Sequence, residues 1–313
     1  MNKDILRQWK TYSLGFLLVC FCMGACRQGN KDPFYSLKNG TIRISVDESF
    51  KPVMEEQIQV FEKSFPGATI TAAYKSEATC FKDLFTDTAT RMIIVTRGPT
   101  AEEERFFKDS LDYTPKWNTL AYDAITILVN KKSNDTLFTL QRLQQQLLGK
   151  QNRNQQVVFD GLNATSTVRF VLDSILKGAR FDTGVVKAVK SSQAVINYVA
   201  ENENAIGFVG ISWIGNPEDS AQVNMLNKVK IAYVSCDLCP DSPYVKPTQA
   251  SILSRRYPLV RGLYYIVKES SDDLGTGFSN FMRNERGQLI FKRAYLGTVM
   301  DFDIRNVKLN QKL

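Results

Sequence analysis

One stretch of this sequence is the most informative about the fold: Phe159-Asp160-Gly161-Leu162-Asn163-Ala164-Thr165-Ser166-Thr167. It follows a short apolar run, which predicts a β-strand, and it precedes a segment whose apolar residues recur at helical spacing. A loop with one glycine and several small polar side chains therefore joins a strand to a helix. The stretch predicts a βα unit whose helix begins near Thr165.

The start of a helix leaves several backbone N–H groups without intrahelical partners and carries the positive end of the helix dipole. Together with the hydroxyls of Thr165, Ser166 and Thr167, such donors suit an anion. A plainer interpretation is that Asn163 or Thr165 only caps the helix. The local sequence leaves both interpretations open.

Similar units recur along the chain. Alternating or apolar runs predict strands at 41–46, 69–74, 92–95, 124–129, 157–159, 205–210, 231–234 and 263–267. Segments with helical spacing lie between them, and a single amphipathic helix is predicted over 278–294. Alternation of strands and helices predicts an α/β fold.

The N-terminus is typical of a targeting segment. Lys3, Arg7 and Lys10 precede an apolar run too short to span a bilayer comfortably. The run ends in Gly24-Ala25-Cys26, which resembles the lipobox of bacterial lipoproteins, where the cysteine is lipidated. We therefore expect a lipoprotein signal peptide over 1–25, a lipid on Cys26 and a polar tether over 26–40. The alternative is an ordinary signal peptide or a poor membrane anchor.

The chain has no histidine, which excludes Ser-His-Asp and Cys-His nucleophile systems and imidazole metal ligands. Past Cys26, only Cys80, Cys236 and Cys239 remain. Cys236 and Cys239 have C-x-x-C spacing and form either a small disulfide loop or two incidental thiols. A structural zinc site is not expected, because it needs four ligands. We expect no metal and no cofactor.

The chain of 313 residues has a formal net charge of +8, with 43% hydrophobic and 23% charged residues. These values are those of an ordinary folded protein, and the chain is long enough for two lobes. Basic residues do not cluster with aromatic ones, so nucleic acid is not an expected partner. A modest positive field would help to collect small anions or would only aid solubility.

Several blocks, taken in order, resemble the solute-binding proteins of phosphate ABC transporters. They are residues 121–130 with 137–150, 194–213, 257–265 and 287–297. The resemblance implies a two-lobed type II periplasmic-binding-protein fold with two crossover hinge strands. Lobe 1 would hold residues 41–119 and 247–313, and lobe 2 would hold 120–246. Such proteins close around their ligand like a hinge.

The resemblance also implies a phosphate-binding loop at the start of the helix in lobe 2. Its matching residues here are Asp160, Gly161, Asn163, Thr165, Ser166 and Thr167. The family places a basic residue just before this loop, whereas Val158 and Phe159 stand there in this chain. Arg97, after the strand at 92–95, is the first candidate for the missing charge, and Arg169 is a weaker one. Surface ion pairs would be their alternative roles.

In lobe 1, the corresponding loop is Asp47-Glu48-Ser49-Phe50, where Ser49 and the amides near Phe50 could donate hydrogen bonds. Ser76, beside Glu77, is a further candidate donor. Asp160, with Asp47 behind it, could accept the proton of hydrogen phosphate, which sulfate lacks at neutral pH. Several acids near one cleft also leave room for another ligand.

The leading hypothesis is a lipid-anchored, non-catalytic, monomeric protein of the bacterial envelope. It would capture phosphate or a similar oxyanion in the periplasm for an ABC permease. Two alternatives remain. One is an envelope sensory or interaction protein on the same fold, and the other is a carboxylate-dependent hydrolase, for which no pair of acids stands out.

Overall fold

The computed structural model describes residues 36–161, 165–240, 243–269 and 271–302, and the elements given below lie in the compact unit Leu37–Leu313. Cys26, most of the predicted tether and Asn163 lie outside the described residues. Helices and strands alternate along this unit, so the predicted α/β class is confirmed. Within the described ranges, no helix has both the length and the apolar character needed to cross a membrane.

The first six elements alternate between strand and helix. They are β1 (Gly40–Asp47), α1 (Lys51–Ser64), β2 (Ala68–Lys75), α2 (Glu77–Thr86), β3 (Thr90–Val95) and α3 (Ala101–Leu111). β1 pairs in parallel with both β2 and β3, so the carboxyl ends of the three strands meet at one edge of the sheet. In open α/β sheets, ligands bind at this edge.

A second group of elements follows. They are β4 (Lys116–Asn130), β5 (Leu137–Phe138), α4 (Leu140–Leu147), β6 (Gln156–Phe159), α5 (Ser166–Ser174), β7 (Val186–Ala188), α6 (Ser192–Glu201) and β8 (Ala205–Gly210). β6 pairs in parallel with β7 and β8. The predicted βα unit at the junction of β6 and α5 is thus present, with Asp160 directly after the strand.

The remaining elements are short except near the C-terminus. They are α7 (Ser220–Leu226), β9 (Val229–Ile231), β10 (Tyr233–Ser235), β11 (Tyr244–Val245), α8 (Gln249–Leu253), β12 (Val260–Val267), α9 (Leu274–Arg283), α10 (Glu285–Arg293) and β13 (Gly297–Thr298). Cys236 and Cys239, between β10 and β11, form a disulfide, and Cys80 is a buried free thiol. The pairing of the C-x-x-C cysteines, left open by the sequence, is therefore present.

The main sheet has the strand order β2-β1-β3-β12-β4-β8-β6-β7. β4 connects the two groups: residues 116–124 pair with β12, and residues 125–130 pair with β8 and β9. Buried apolar side chains of both groups form one continuous core. Because β12 lies antiparallel beside β4, it brings residues from far along the chain to the middle of the sheet.

Two predicted elements were wrong. The single helix over 278–294 is two helices, because Asn284 adopts an extended backbone (φ −84°, ψ 169°) between α9 and α10. The two helices touch closely, since a Cβ on Gly287 would lie 2.5 Å from Cα of Met282. The predicted strand at 231–234 is two short strands, β9 and β10, separated by Ala232.

Candidate functional site

The site begins where β1 ends. Asp47 accepts a hydrogen bond from the backbone N–H of Ser49 at 2.9 Å, which stabilises a short 3-10 turn at Glu48–Phe50 before α1. The carbonyl of Ser49 accepts hydrogen bonds from Trp213 Nε1 (2.9 Å) and Ser212 Oγ (3.3 Å). Asp47, Ser49 and Phe50 are all buried. The backbone N–H and carbonyl of Ser49 are therefore both paired, which holds the turn in place and leaves the hydroxyl of Ser49 for other contacts.

The start of α5 provides the second set of hydroxyls. Thr165 caps this helix by accepting a hydrogen bond from Val168 N at 3.3 Å, as one interpretation of the sequence expected. Ser166 and Thr167 lie in the first turn and are buried. Ser166 Oγ lies 3.3 Å from Ser49 Oγ, although the two residues are 117 positions apart. The structure thus joins the predicted loops of both groups.

A buried arginine completes this junction. Arg261, on β12, lies opposite Asp123 on β4, and its Nε donates to Asp123 Oδ2 at 2.8 Å. Its Nη1 donates to Ser166 Oγ at 2.8 Å and approaches Thr167 Oγ1 at 3.4 Å. Nη2 is buried and has no hydrogen-bond partner among the described residues. The guanidinium also lies over the ring of Phe50, 5.1 Å from its centroid.

Gly210, at the end of β8, leaves room for this pair. A Cβ at this position would lie 3.1 Å from Asp123 Oδ2 and 3.4 Å from Arg261 Nη2. These distances are shorter than most contacts that a real Cβ makes, so a side chain here would crowd both charged groups. The glycine therefore permits the Arg261–Asp123 pair to approach the backbone of β8.

Three aspartates surround the guanidinium. Burial raises the pKa of Asp47 to about 7, against the pull of Arg261. Burial likewise raises the pKa values of Asp123 and Asp160, and Arg261 counteracts part of each shift. In each of the three, one buried carboxylate oxygen lacks a hydrogen-bond partner within the described part of the chain. The site therefore offers acceptors as well as a charged donor.

The start of α6 meets the same cluster from another side. Ser192 Oγ lies 2.9 Å from Glu48 Oε2 and 3.4 Å from Asp160 Oδ2. Asp160 is followed by Gly161, whose φ of 147° is rarely adopted by residues with a side chain. A glycine is therefore favoured at the turn that leads from β6 towards α5.

Two of the predicted residues lie elsewhere. Ser76 precedes α2, and its hydroxyl lies 2.8 Å from Thr79 Oγ1. Arg97 forms a bidentate ion pair with Glu103 at 2.7 and 2.8 Å and lies over the ring of Phe81, 3.6 Å from its centroid. In the described ranges, none of the hydrogen bonds formed by these two side chains reaches the Arg261 cluster.

Arg169, the second arginine suggested by the sequence, belongs to another contact. Its Nε donates to Glu77 Oε2 at 2.6 Å, and its Nη2 donates to Thr96 Oγ1 at 2.7 Å. Burial alone would raise the pKa of Glu77, but the hydrogen bond and charge of Arg169, with the donors of Thr96, hold that pKa below its usual value. Glu77 is thus satisfied within the protein.

Sequence reasoning did not identify Arg261, Asp123 or Ser192. Arg261 lies in the block 257–265 that carried part of the family resemblance, and it is a lone charge in an otherwise uncharged strand, Val260–Val267. That isolated charge was the available signal. Within the described ranges, no three His, Cys, Asp or Glu side chains are placed to hold a metal ion, so the cluster is not a recognisable cation site.

The arrangement can be compared with known proteins. Residues 36–286 match a family model described as a PBP superfamily domain. No curated protein matches the sequence significantly. Three solved structures illustrate the range of proteins that this chain resembles in fold.

The first is a protein from Clostridium perfringens, assigned as a phosphate ABC transporter substrate-binding protein and crystallised with phosphate. It is 21% identical, with a TM-score of 0.68 over 83% of this chain and 100% of the other. An ABC-type phosphate transport receptor from Vibrio cholerae is 17% identical, with a TM-score of 0.58 over 83% of this chain and 100% of the other. A mutant of OxyR from Corynebacterium glutamicum, with hydrogen peroxide bound, is 11% identical, with a TM-score of 0.54 over 92% of this chain and 76% of the other. At these identities, the likeness concerns the fold alone.

Proposed function

This chain belongs to the PBP superfamily, and on that basis we propose that it captures phosphate, or a similar small oxyanion, between its two lobes for an ABC permease. The observation that carries the proposal is the buried guanidinium of Arg261, whose Nη2 lacks a partner in the described residues while Nη1 meets two helix-start hydroxyls. A buried unpaired donor on a cation is costly. An oxyanion would satisfy it.

Helix starts strengthen the preference for an anion. Ser166 and Thr167 open α5, a helix of nine residues, and Ser49 lies in the turn that leads into α1. Both helix dipoles place positive potential near their first residues. The family arginine that is missing before Asp160 is replaced, in this proposal, by Arg261 from β12.

The aspartates favour an anion that carries a proton. Asp47 and Asp160 each have a buried oxygen without a partner in the described part of the chain. When ionised, such an oxygen accepts the proton of hydrogen phosphate, whereas sulfate would leave it unpaired. We therefore propose selectivity for protonated oxyanions over sulfate.

The envelope location follows from the N-terminal sequence. In this proposal, residues 1–25 direct export, a lipid on Cys26 holds the protein at the membrane and 26–40 form the tether. Lobe bounds of 41–119 with 247–313, and of 120–246, remain part of the proposal, as does a monomeric state. No catalytic role is assigned to any residue.

Calorimetric titration of the mature chain with inorganic phosphate tests this function. Phosphate should bind with measurable heat, and at a hundred times its Kd it should add about 2.7 kcal/mol to the free energy of unfolding. Sulfate at the same concentration should add little. Absence of both heat and stabilisation with phosphate would overturn the assignment.

One observation favours a second candidate, an envelope sensory or interaction protein on the same fold. Three buried aspartates surround a single guanidinium, which is more acid than one small anion requires. This candidate predicts that neither phosphate, sulfate nor arsenate stabilises the protein.

A further inference from the structure

The Cys236–Cys239 disulfide closes a very short loop, with a sequence separation of three. The surrounding chain is already held by backbone contacts: Cys236 N donates to Pro243 O at 2.8 Å, and Ser235 pairs with Tyr244 in the adjoining strands. A cross-link over so few residues removes little entropy from the unfolded chain. Its contribution to stability therefore gives only a weak reason for its presence.

One sulfur of this disulfide has a cationic neighbour. Arg256 Nε donates to Cys239 Sγ at 3.1 Å. The guanidinium comes from a different part of the chain, just after α8, and Cys236 has no comparable charged contact among the hydrogen bonds of the described residues. A cation beside a cysteine favours the thiolate over the thiol. The two sulfurs are thus chemically unequal.

The disulfide also lies near the surface. Cys236 and Cys239 are mostly covered, yet Leu238 between them is 69% exposed. The turn that carries the disulfide is therefore open to solvent at Leu238.

We propose that Cys236–Cys239 is a thiol–disulfide exchange site in which Arg256 stabilises Cys239 as the leaving thiolate. A thiolate of an external dithiol attacks Cys236 Sγ and forms a mixed disulfide, and the Cys236–Cys239 bond breaks with its electron pair on Cys239 Sγ. The second thiol of the reductant then displaces Cys236 and closes its own disulfide. Two electrons and two protons pass from the dithiol to the protein.

This site is independent of anion binding, because Arg256 is not part of the Arg261 cluster. The test uses the full chain equilibrated with reduced and oxidised dithiothreitol, followed by acid quenching, alkylation and mass spectrometry of the peptides that contain Cys236 and Cys239. We expect the Cys236–Cys239 disulfide to be half reduced at a potential above about −300 mV. Labile disulfides have potentials in this range, whereas structural disulfides have lower ones. A disulfide that remains oxidised below that potential would overturn the proposal.

Arg256→Gln should lower the equilibrium constant for reduction by about three- to tenfold, which is about 15–30 mV. The matched control is Arg255→Gln, since Arg255 lies over the ring of Tyr122 and not beside the disulfide. The reduction potential of the Cys236–Cys239 disulfide in Arg255→Gln should equal that in the wild type. Equal potentials for Arg256→Gln and Arg255→Gln would contradict the role of Arg256.

A second measurement does not depend on reduction. In Cys236→Ser, Cys239 is a single thiol, and its alkylation by iodoacetamide at neutral pH should be fast and should slow by about three- to tenfold when Arg256→Gln is added. Cys80 is an internal reference, because burial raises the pKa of its thiol. Alkylation of Cys239 as slow as that of Cys80 would refute thiolate stabilisation.

Discussion

Two guanidinium–carboxylate contacts involve the first two turns of α5, and they differ in how completely their polar atoms are satisfied. At Arg169, all three nitrogens have partners, and both oxygens of Glu77 accept hydrogen bonds. At Arg261, Nη2 and one oxygen of Asp123 have no partner in the described residues, although both groups are buried. Every polar atom of the first contact is paired within the protein, whereas Nη2 of Arg261 and one oxygen of Asp123 still need hydrogen-bond partners.

The carboxyl groups at the two arginines also differ in pKa. Arg169 and Thr96 hold the pKa of Glu77 low despite burial, while burial prevails over Arg261 and raises the pKa values of Asp47, Asp123 and Asp160. Buried polar atoms are nearly always paired in proteins, so a group of unpaired ones needs an explanation, and a bound anion is the one that we propose. Arg169 therefore has a structural role, and the unpaired atoms at Arg261 are the reason that we propose it as the anion-binding residue.

Replacement of Arg261 should have the largest effect. Arg261→Gln should weaken phosphate binding at least about a hundredfold, since a charge-assisted contact to the anion is lost. It should also cost about 3–5 kcal/mol of unfolding free energy, because Asp123 is left buried and unpaired. Titration calorimetry and urea unfolding measure the two effects.

Two variants control this result. Arg261→Gln with Asp123→Asn removes both charges and should recover much of the stability while binding stays lost. Arg97→Gln removes the other arginine suggested by the sequence and should leave phosphate affinity unchanged. Loss of binding in Arg97→Gln, with binding retained in Arg261→Gln, would reverse the assignment of the two arginines.

Asp47 should give the cluster a pH dependence opposite in sign to that of the Glu77 contact, whose lowered pKa contributes stability that is lost as pH falls. Its folded-state pKa of about 7 exceeds the ordinary 3.8, so the folded state holds the proton more tightly. The associated stability is complete below the ordinary value and is lost as pH rises towards 7. The unfolding free energy of the wild type minus that of Asp47→Asn, measured with urea, should therefore fall by about 3 kcal/mol from pH 5 to pH 8. A difference independent of pH would contradict the raised folded-state pKa of Asp47.

Arg169→Gln should separate stability from binding. It breaks the ion pair to Glu77 and should cost about 2 kcal/mol, less than at Arg261 because 37% of the Arg169 side chain is exposed. Phosphate affinity should change by less than about fivefold, since the anion contacts are untouched. A loss of binding as severe as in Arg261→Gln would place Arg169 in the binding site.

Ser166→Ala combined with Thr167→Ala should have the smallest free-energy effect of the series, although it acts on binding more than Arg169→Gln does. The pair removes two hydroxyls that meet Arg261 Nη1 and should weaken phosphate binding about tenfold, equivalent to about 1.4 kcal/mol. Circular dichroism should report an intact fold, because Thr165 still caps α5. Unchanged affinity would mean that this helix start is only capped.

The local parts of the proposed site were predictable from the sequence. Asp160 after β6, the hydroxyls at the start of α5 and Ser49 after β1 all lie at strand-to-helix junctions, which short-range patterns reveal. The α/β class followed from the same patterns. Each of these inferences depends on residues within a few positions of one another.

The missed parts depend on distant pairing. Arg261 meets Asp123 only because β12 lies beside β4, a contact across 138 positions that no local pattern specifies. Arg97 was favoured because it follows a buried strand. Glu103, in the capping box at the start of α3, instead forms an ion pair with the Arg97 guanidinium. The helix break at Asn284 was missed because the apolar spacing continues through it.

Location of the anion itself tests the central claim most directly. Crystals grown with arsenate, a phosphate analogue with a strong anomalous signal, would mark the position of the bound oxyanion. We predict one anomalous peak within hydrogen-bonding reach of Arg261 Nη2 and Ser166 Oγ. A peak beside Arg97 or Arg169, or none near Arg261 at saturating arsenate, would contradict the account.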